Sequence, residues 1–332
     1  MSDATSLYAI VTDKHAETPD ICAIELRGAG GRPLPDFSAG AHVEVRLPGG
    51  QTRSYSLCNA PSDRDRYVLG VHKSRTSRGG SRAMHEALRV GDTLQLSAPR
   101  NFFALAPEAD HSVLVAAGIG ITPILSMAEH LSTSGASFEL HYVARSRDAA
   151  AFLRRIEASR FANCLRLHLS GLALASKGAS ATPRASRIDP IALLPSPREN
   201  SHVYVCGPAG FMEAVLAAAR QAGWAAAQLH QEHFAGSVIG AAAADSFEIK
   251  LARSGRTVAV GHEESAVQAL AAAGVHVPTS CEQGVCGTCL TRVLDGEPDH
   301  RDLFLSPEEQ MRNDQFLPCC SRAKTACLTL DL

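Results

Sequence analysis

Over the first hundred residues, apolar and polar positions alternate in short runs. Residues 7–13, 21–27, 42–47, 53–58, 67–72 and 93–97 each alternate or are β-branched. Clusters of Gly, Pro and Asp separate them at intervals suited to a barrel. The pattern predicts an antiparallel barrel with one short helix over 81–88. At residue 112 the rhythm changes. A continuous apolar run over 112–117 predicts a buried strand, followed by a glycine turn and a helix to about residue 131. Strands over 138–144, 164–169 and 202–206 then alternate with helices over 149–159 and 210–222. That alternation implies a parallel sheet with covering helices. Residues 172–187, rich in Ser, Ala and Gly, read as a surface loop.

A third region follows the small-residue stretch Gly236 to Asp245. This stretch reads as a linker, with an alanine helix as the alternative that Gly236 and Gly240 weigh against. Beyond it come a hairpin (247–251 and 257–260, around Ser254-Gly255), a helix over 265–273 and a last strand over 328–330. Together they predict a small mixed sheet. The expected domains are therefore 1–105, 106–235, a linker over 236–245, and 246–332.

Composition narrows the class without naming it. The chain has 332 residues, 45% hydrophobic, with a formal net charge of −2. No basic excess points to nucleic acid, and no apolar stretch is long enough for a membrane span. Residues 1–12 carry no apolar signal-peptide core, so a cytoplasmic location is expected. Of ten cysteines, Cys22, Cys58, Cys164, Cys206, Cys320 and Cys327 show no framework spacing and are expected to be reduced thiols.

The remaining four carry the sharpest signal. Cys281, Cys286 and Cys289 form C-x4-C-x2-C, and Cys319 follows after twenty-nine more residues. This is the ligand spacing of a plant-type [2Fe–2S] cluster. Gly284 and Gly287 let the loop wrap closely, and Ser280 and Thr288 add small polar groups. Zinc is the alternative, but zinc sites favour two compact cysteine pairs, whereas here a triplet faces a single cysteine. Cys320 adjoins Cys319. On a strand the two would face opposite ways, so one alone could reach the cluster.

Four further constellations precede the cluster. In Arg53-Ser54-Tyr55-Ser56-Leu57 a strand places Arg53 and Tyr55 on one face and Ser56 on the other. Arg offers a charged fork to phosphate, Tyr a stacking plane and Ser a small hydroxyl. A solvated barrel face is the plain alternative. Ser77-Arg78-Gly79-Gly80-Ser81 precedes a predicted helix and suits phosphate, or is a simple turn. Gly118-Ile119-Gly120-Ile121-Thr122-Pro123 opens a helix after a strand, where glycines admit a pyrophosphate; Pro123 in a first helical turn also fits a purely structural turn. Cys206-Gly207-Pro208 ends another parallel strand, where ligands bind in such sheets.

The order of these motifs resembles the ferredoxin–NADP reductase superfamily, and within it the family of phthalate dioxygenase reductase and the vanillate O-demethylase reductase subunit. Asp299-His300-Arg301-Asp302 and Ser321-Arg322-Ala323-Lys324 also match, and the likeness spans nearly the whole chain. Ala117 departs from a frequent glycine. The resemblance implies a β + α/β + α+β multidomain fold: an antiparallel flavin-binding barrel, a parallel-sheet NAD-binding domain and a β-grasp ferredoxin-like domain. By the same resemblance Arg53 holds the phosphate of FMN, Tyr55 lies against the flavin and Ser56 faces its N5, with Gly79, Gly80 and Ser81 closing over the phosphate. Gly118, Gly120 and Thr122 line the pyridine-nucleotide site, Cys206, with Gly207 and Pro208, approaches the nicotinamide, and Phe234 sits near the flavin. The family places its fourth ligand two residues before the Ser-Arg pair, at Cys319, leaving Cys320 to packing.

The implied activity is an NADH-dependent reductase passing electrons through FMN and the [2Fe–2S] cluster to a terminal oxygenase of the Rieske non-haem iron type, acting on an aromatic or similar small molecule. After the second strand of the nucleotide domain, Arg145 and Arg147 would accommodate a 2′-phosphate and Asp148 would favour a 2′-hydroxyl; the relatives' use of NADH decides the expectation. Rival readings are a reductase for a cytochrome or diiron oxygenase, and a non-enzymatic redox sensor.

Overall fold

The computed structural model describes residues 7–47, 52–74, 80–171, 188–234, 246–262, 264–279, 284, 287–302 and 304–332. The expected loop over 172–187, the expected linker over 236–245, and Gly79, Cys281 and Cys286 lie outside them. The chain divides into two compact units, Met1–Phe234 and Ala235–Leu332.

The first unit opens with six antiparallel strands: β1 (Leu7–Thr18), β2 (Ile21–Gly28), β3 (His42–Arg46), β4 (Thr52–Ser56), β5 (Tyr67–His72) and β6 (Thr93–Leu96), with helix α1 (Gly80–Glu86) between the last two. Their order is β4-β3-β6-β1-β2-β5, and an antiparallel bridge from Leu57 to Leu69 joins the two ends into a barrel. Val11, Ile24, Leu26, Val43, Leu57 and Leu69 fill its core. β1 runs five residues beyond the expected end. Register shifts between Val11 and Asp13 and between Ala16 and Thr18 carry the pairing through a polar stretch. A bulge resets the alternation, so the pattern hides the strand.

A parallel sheet completes this unit: β7 (His111–Ala117), α2 (Ile121–Ser134), β8 (Ser137–Ala144), α3 (Leu153–Glu157), β9 (Leu165–Leu169), β10 (Ser201–Cys206), α4 (Ala209–Gln221) and β11 (Leu229–Glu232). The order is β11-β10-β7-β8-β9, and every pair is parallel. Leu114, Ala116, Leu140 and Tyr142 pack with Ile124 and Leu125 of α2. Val113, Val115, Val203 and Val205 pack with Met212 and Val215 of α4. Alternate residues of one strand thus supply both faces of the sheet. Two expectations are corrected. The helix expected over 149–159 begins only at Leu153, because Phe152 adopts a left-handed conformation, φ 60° and ψ 8°. The fifth strand, β11, reads Leu-His-Gln-Glu and carries no apolar alternation to announce it.

The second unit comprises β12 (Phe247–Leu251), β13 (Thr257–Val260), α5 (Ala266–Ala272), β14 (Thr291–Asp295), β15 (Pro298–Asp299), α6 (Pro307–Met311), β16 (Gln315–Phe316), β17 (Arg322–Ala323) and β18 (Cys327–Leu330). The main sheet runs β13-β12-β18-β14-β16, with β12 and β18 parallel and the other neighbours antiparallel. This is the mixed sheet of a β-grasp fold. Ser265 and Gln268 form a reciprocal cap at the start of α5, which fixes where that helix begins. Residues 318–320 form a turn between β16 and β17. The strand alternation used to separate Cys319 from Cys320 therefore does not apply. The N–H groups of Cys320 and Ser321 both donate to Leu317 O, at 3.2 and 2.9 Å, which curls the chain instead of extending it. Among the described residues no helix is long and apolar enough to cross a membrane.

Candidate functional site

β4 pairs with β3 so that Arg53 lies opposite Val45, Tyr55 opposite Val43 and Ser56 opposite His42. Arg53 and Tyr55 are partly exposed, while Ser56 is 5% exposed. The Arg53 side chain lies along the start of α1: a Cβ on Gly80 would sit 3.3 Å from both Cγ and Nε of Arg53, and 3.0 Å from Leu47 Cδ1. Gly80 thus lets the helix start and the arginine fork occupy one place. The Ser81 hydroxyl accepts the N–H of Ser74 at 3.2 Å, tying the first turn of α1 to the residues just after β5. Burial pushes the Tyr55 phenol up to about 12, against the opposing pull of Arg53, so the ring stays neutral. A guanidinium, a neutral half-buried ring and a glycine at the helix start suit a flavin phosphate and ring system.

The nucleotide motifs meet at the carboxyl ends of β7 and β10. Gly118 takes φ +55°, which a glycine adopts without strain. A Cβ on Gly120 would lie 2.2 Å from Cys206 O and 2.7 Å from Gly207 N, so the two turns touch through their backbones. A Cβ on Gly207 would lie 2.8 Å from the methyl of Ala117. Ala117 can therefore carry its methyl only because position 207 has none. Gly118, Gly120, Thr122, Cys206, Gly207 and Pro208 form one ledge. Thr122 is buried and its hydroxyl donates to Ile119 O at 3.0 Å, bracing the turn from within.

Strand pairing sets Cys206 opposite Glu232. The Cys206 thiol donates to Glu232 O at 3.2 Å, and burial, reinforced by the Glu232 charge, raises it well above the usual thiol range. It is no thiolate nucleophile at neutral pH. The Ser56 hydroxyl donates to Glu232 Oε2 at 3.0 Å. Burial pushes the Glu232 carboxyl up to about 8, with the Ser56 bond pulling the other way. Ser56 of the barrel thus meets the carboxyl of Glu232 and Cys206 of the parallel sheet its main-chain carbonyl, and Phe234, two residues on, packs against the core that includes Cys206. Sequence reasoning missed Glu232. The one signal was its place two residues before Phe234, in a strand too polar to be recognised.

In the second unit, Gly284 and Gly287 take φ +74° and +70°. A Cβ on Gly287 would lie 2.3 Å from the Phe304 ring. One on Gly284 would lie 2.4 Å from Cys320 Sγ and 3.0 Å from Asp302 Cα. These are cradles that only glycine leaves open. Cys289 and Cys319 are 2% and 9% exposed. The neighbouring thiols of Cys289 and Cys320, with burial, raise the Cys319 thiol far above the ordinary thiol value. The two matched tetrapeptides brace this turn. Asp299–Arg322 and Pro298–Ala323 pair as strands. The Ser321 hydroxyl donates to Asp302 Oδ1 at 3.3 Å and accepts the Arg301 N–H at 3.1 Å. Arg322 donates to Glu264 O and Gly261 O, both at 2.9 Å, with its guanidinium over Phe247. Adjoining buried thiols behind glycine-rich backbone fit an iron–sulfur cluster, which takes thiolate ligands and backbone N–H groups. Among the described residues no disulfide joins any of the eight cysteines.

Residues 114–217 match the oxidoreductase NAD-binding domain, and residues 249–324 match the 2Fe-2S iron-sulfur cluster binding domain. The vanillate O-demethylase oxidoreductase of Pseudomonas sp. (strain HR199 / DSM 7063) is 48% identical over 326 residues, covering 98% of this chain and 100% of that one. The phenoxybenzoate dioxygenase subunit beta of Ectopseudomonas oleovorans is 42% identical over 335 residues, covering 100% of both. The solved structure of phthalate dioxygenase reductase, described as modular for electron transfer from pyridine nucleotides to [2Fe-2S], superposes with TM-score 0.77 at 36% identity, covering 99% of this chain and 98% of that one.

Proposed function

The chain belongs to the family of vanillate O-demethylase oxidoreductase and phthalate dioxygenase reductase, and from that membership we propose that it delivers electrons from NADH to a terminal oxygenase of the Rieske non-haem iron type, acting on an aromatic substrate. It is an NADH-dependent oxidoreductase with FMN and a [2Fe–2S] cluster. Those groups supply the chemistry: a two-electron hydride acceptor and a one-electron carrier. The protein supplies position, shielding and polarity.

The observation that carries the reading is the Ser56–Glu232 bond at 3.0 Å. It ties the end of the flavin strand to the strand beside Cys206, so that the two binding surfaces face one another. Arg53 and Gly80, with Gly79 and Ser81 beside them, hold the flavin phosphate, and Tyr55 supports the ring. Gly118, Gly120 and Thr122 carry the nucleotide, and Gly207 and Pro208 shape its floor. Cys206, a neutral buried thiol, would lie near the nicotinamide without attacking it. Phe234 shields the flavin side. Ser56 and Glu232 form a short polar track that can hold or pass a proton next to the reacting ring. Cys281, Cys286, Cys289 and Cys319 ligate the cluster; the family register, two residues before the Ser321-Arg322 pair, favours Cys319 over Cys320. In this assignment the sections 1–105 and 106–235 bind flavin and nucleotide, and residues 246–332 form the ferredoxin module beyond a linker over 236–245.

The test is NADH oxidation with two acceptors and the cognate oxygenase. Ferricyanide takes electrons from flavin directly, and cytochrome c takes them from the cluster. The reading predicts both activities, and the second should vanish with the cluster. A purified, cofactor-loaded protein that oxidises no NADH with either acceptor would be a sensor instead.

A further inference from the structure

Hydride transfer needs the donor and acceptor atoms within about 3–3.5 Å. In the reading above, the acceptor rests on the barrel and the donor on the parallel sheet. Some contact must therefore fix the gap between them. The structure points to β5. A Cβ on Gly70 would lie 2.5 Å from Thr122 Cγ2 and 3.1 Å from Phe152 Cε2. The barrel thus approaches the first turn of α2, which follows Gly118–Gly120, as closely as a bare backbone allows.

Phe152 is held there against its own conformational preference. It is 2% exposed, and its φ of +60° is disfavoured for any residue with a Cβ. Its N–H donates to Glu17 Oε2 at 2.8 Å. Glu17 lies at the bulge between Ala16 and Thr18 that ends β1. A bulge re-aims a side chain, and here it sends a barrel carboxylate to a backbone N–H of the other sheet. A second tie lies one turn along α2, where the buried Ser126 hydroxyl donates to Asn59 O at 2.9 Å.

We propose that Gly70, Phe152 and Glu17 act as a spacer that sets how closely the nucleotide-binding turn approaches the flavin. They are positioning residues, since none is placed against substrate or flavin. The strained Phe152 supplies a flat ring at the seam, Glu17 keeps its backbone in place, and Gly70 sets the distance of approach. The inference rests on the NADH-to-flavin reading, and the experiment separates the two.

Anaerobic stopped-flow reduction of the FMN-loaded protein by NADH gives a limiting rate and an apparent Kd. Gly70→Ala should lower the limiting rate at least about tenfold, because small misplacements cost that much. FMN content and the Kd should change less than about twofold. Thr122→Ser removes the methyl that the new Cβ meets, so the rate lost on adding Gly70→Ala to Thr122→Ser should be much smaller than the rate lost on adding it to the wild type, whatever Thr122→Ser does alone. Glu17→Ala should slow reduction several-fold, and Glu17→Gln, whose amide oxygen still accepts the Phe152 N–H, should restore it. A merely structural role would lower yield and melting temperature but leave the flavin-loaded protein reducing at the wild-type rate. That outcome, or a Gly70→Ala penalty just as large in the Thr122→Ser background as in the wild type, overturns the spacer. Absence of flavin reduction in the wild type would instead overturn the reading beneath it, and the spacer with it.

Discussion

Glu232→Gln isolates the half-buried acid that accepts the Ser56 hydroxyl. The variant keeps an oxygen to accept the Ser56 hydroxyl and nearly the same volume, but it cannot ionise. In the wild type the carboxyl rises from 4.5 to about 8 on folding, chiefly through burial. The sign follows from linkage. Below about pH 4.5 both folded and unfolded chains hold the proton, and the stabilising difference is fully present. As pH rises towards 8 the unfolded chain has lost its proton and the folded one retains it, so stability falls. At about 1.4 kcal/mol per unit, the full shift corresponds to roughly 5 kcal/mol. Glu232 is only partly buried as a residue, so water reduces this, and about 2–3 kcal/mol is expected between pH 5.5 and 8. Urea unfolding, followed by the fluorescence of released flavin, measures it in both proteins at each pH. Other titrating groups are common to both and cancel in the difference. The wild type should lose about 2–3 kcal/mol relative to Glu232→Gln over that interval. Parallel curves, differing by a constant, would mean that Glu232 is already ionised at pH 5.5, and the proton track from Ser56 would be withdrawn.

Three further outcomes follow from the sites. Cys319→Ser should abolish the visible absorption of the cluster while Cys320→Ser retains it; the reverse pattern in absorption spectra would move the fourth ligand to Cys320. Arg53→Ala should weaken flavin retention by about 1.5–3 kcal/mol, the range for a charge-assisted contact, measured by equilibrium dialysis; chromatography of the heat-released flavin should show FMN, and an FAD peak would contradict the phosphate assignment. NADH should have the higher kcat/KM, because Arg147 is engaged by Glu157 in an ion pair while Asp148 remains to meet a 2′-hydroxyl; steady-state kinetics favouring NADPH would refute this.

What the sequence made legible was whatever local chemistry dictates. The apolar run ending at Ala117 and the glycines at 118 and 120 each require a particular backbone, and the structure has that backbone; the cysteine spacing was as plain to read, but Cys281 and Cys286 lie outside the described residues. The alternation over residues 67–72 gives β5 residue for residue. What it hid was imposed from a distance. Glu232 lies on a strand that exists because β10 offers it an edge, not because Leu-His-Gln-Glu favours extension. Phe152 interrupts a helix because a bulged glutamate from the barrel takes its N–H. Cys319 and Cys320 sit in a turn because two N–H groups converge on Leu317 O. In each case the deciding partner is remote in sequence or absent from any periodic pattern.

The central claim is that electrons pass from NADH through the flavin to the cluster. Rapid mixing of the fully loaded protein with NADH under anaerobic conditions tests it most directly, with flavin absorbance followed in time and samples frozen for electron paramagnetic resonance. The account predicts flavin bleaching first and then the signal of a reduced [2Fe–2S] cluster. Cys319→Ser should bleach at the wild-type rate and give no such signal. A cluster that stays oxidised while the flavin is fully reduced, or one that is reduced before the flavin, would contradict the account.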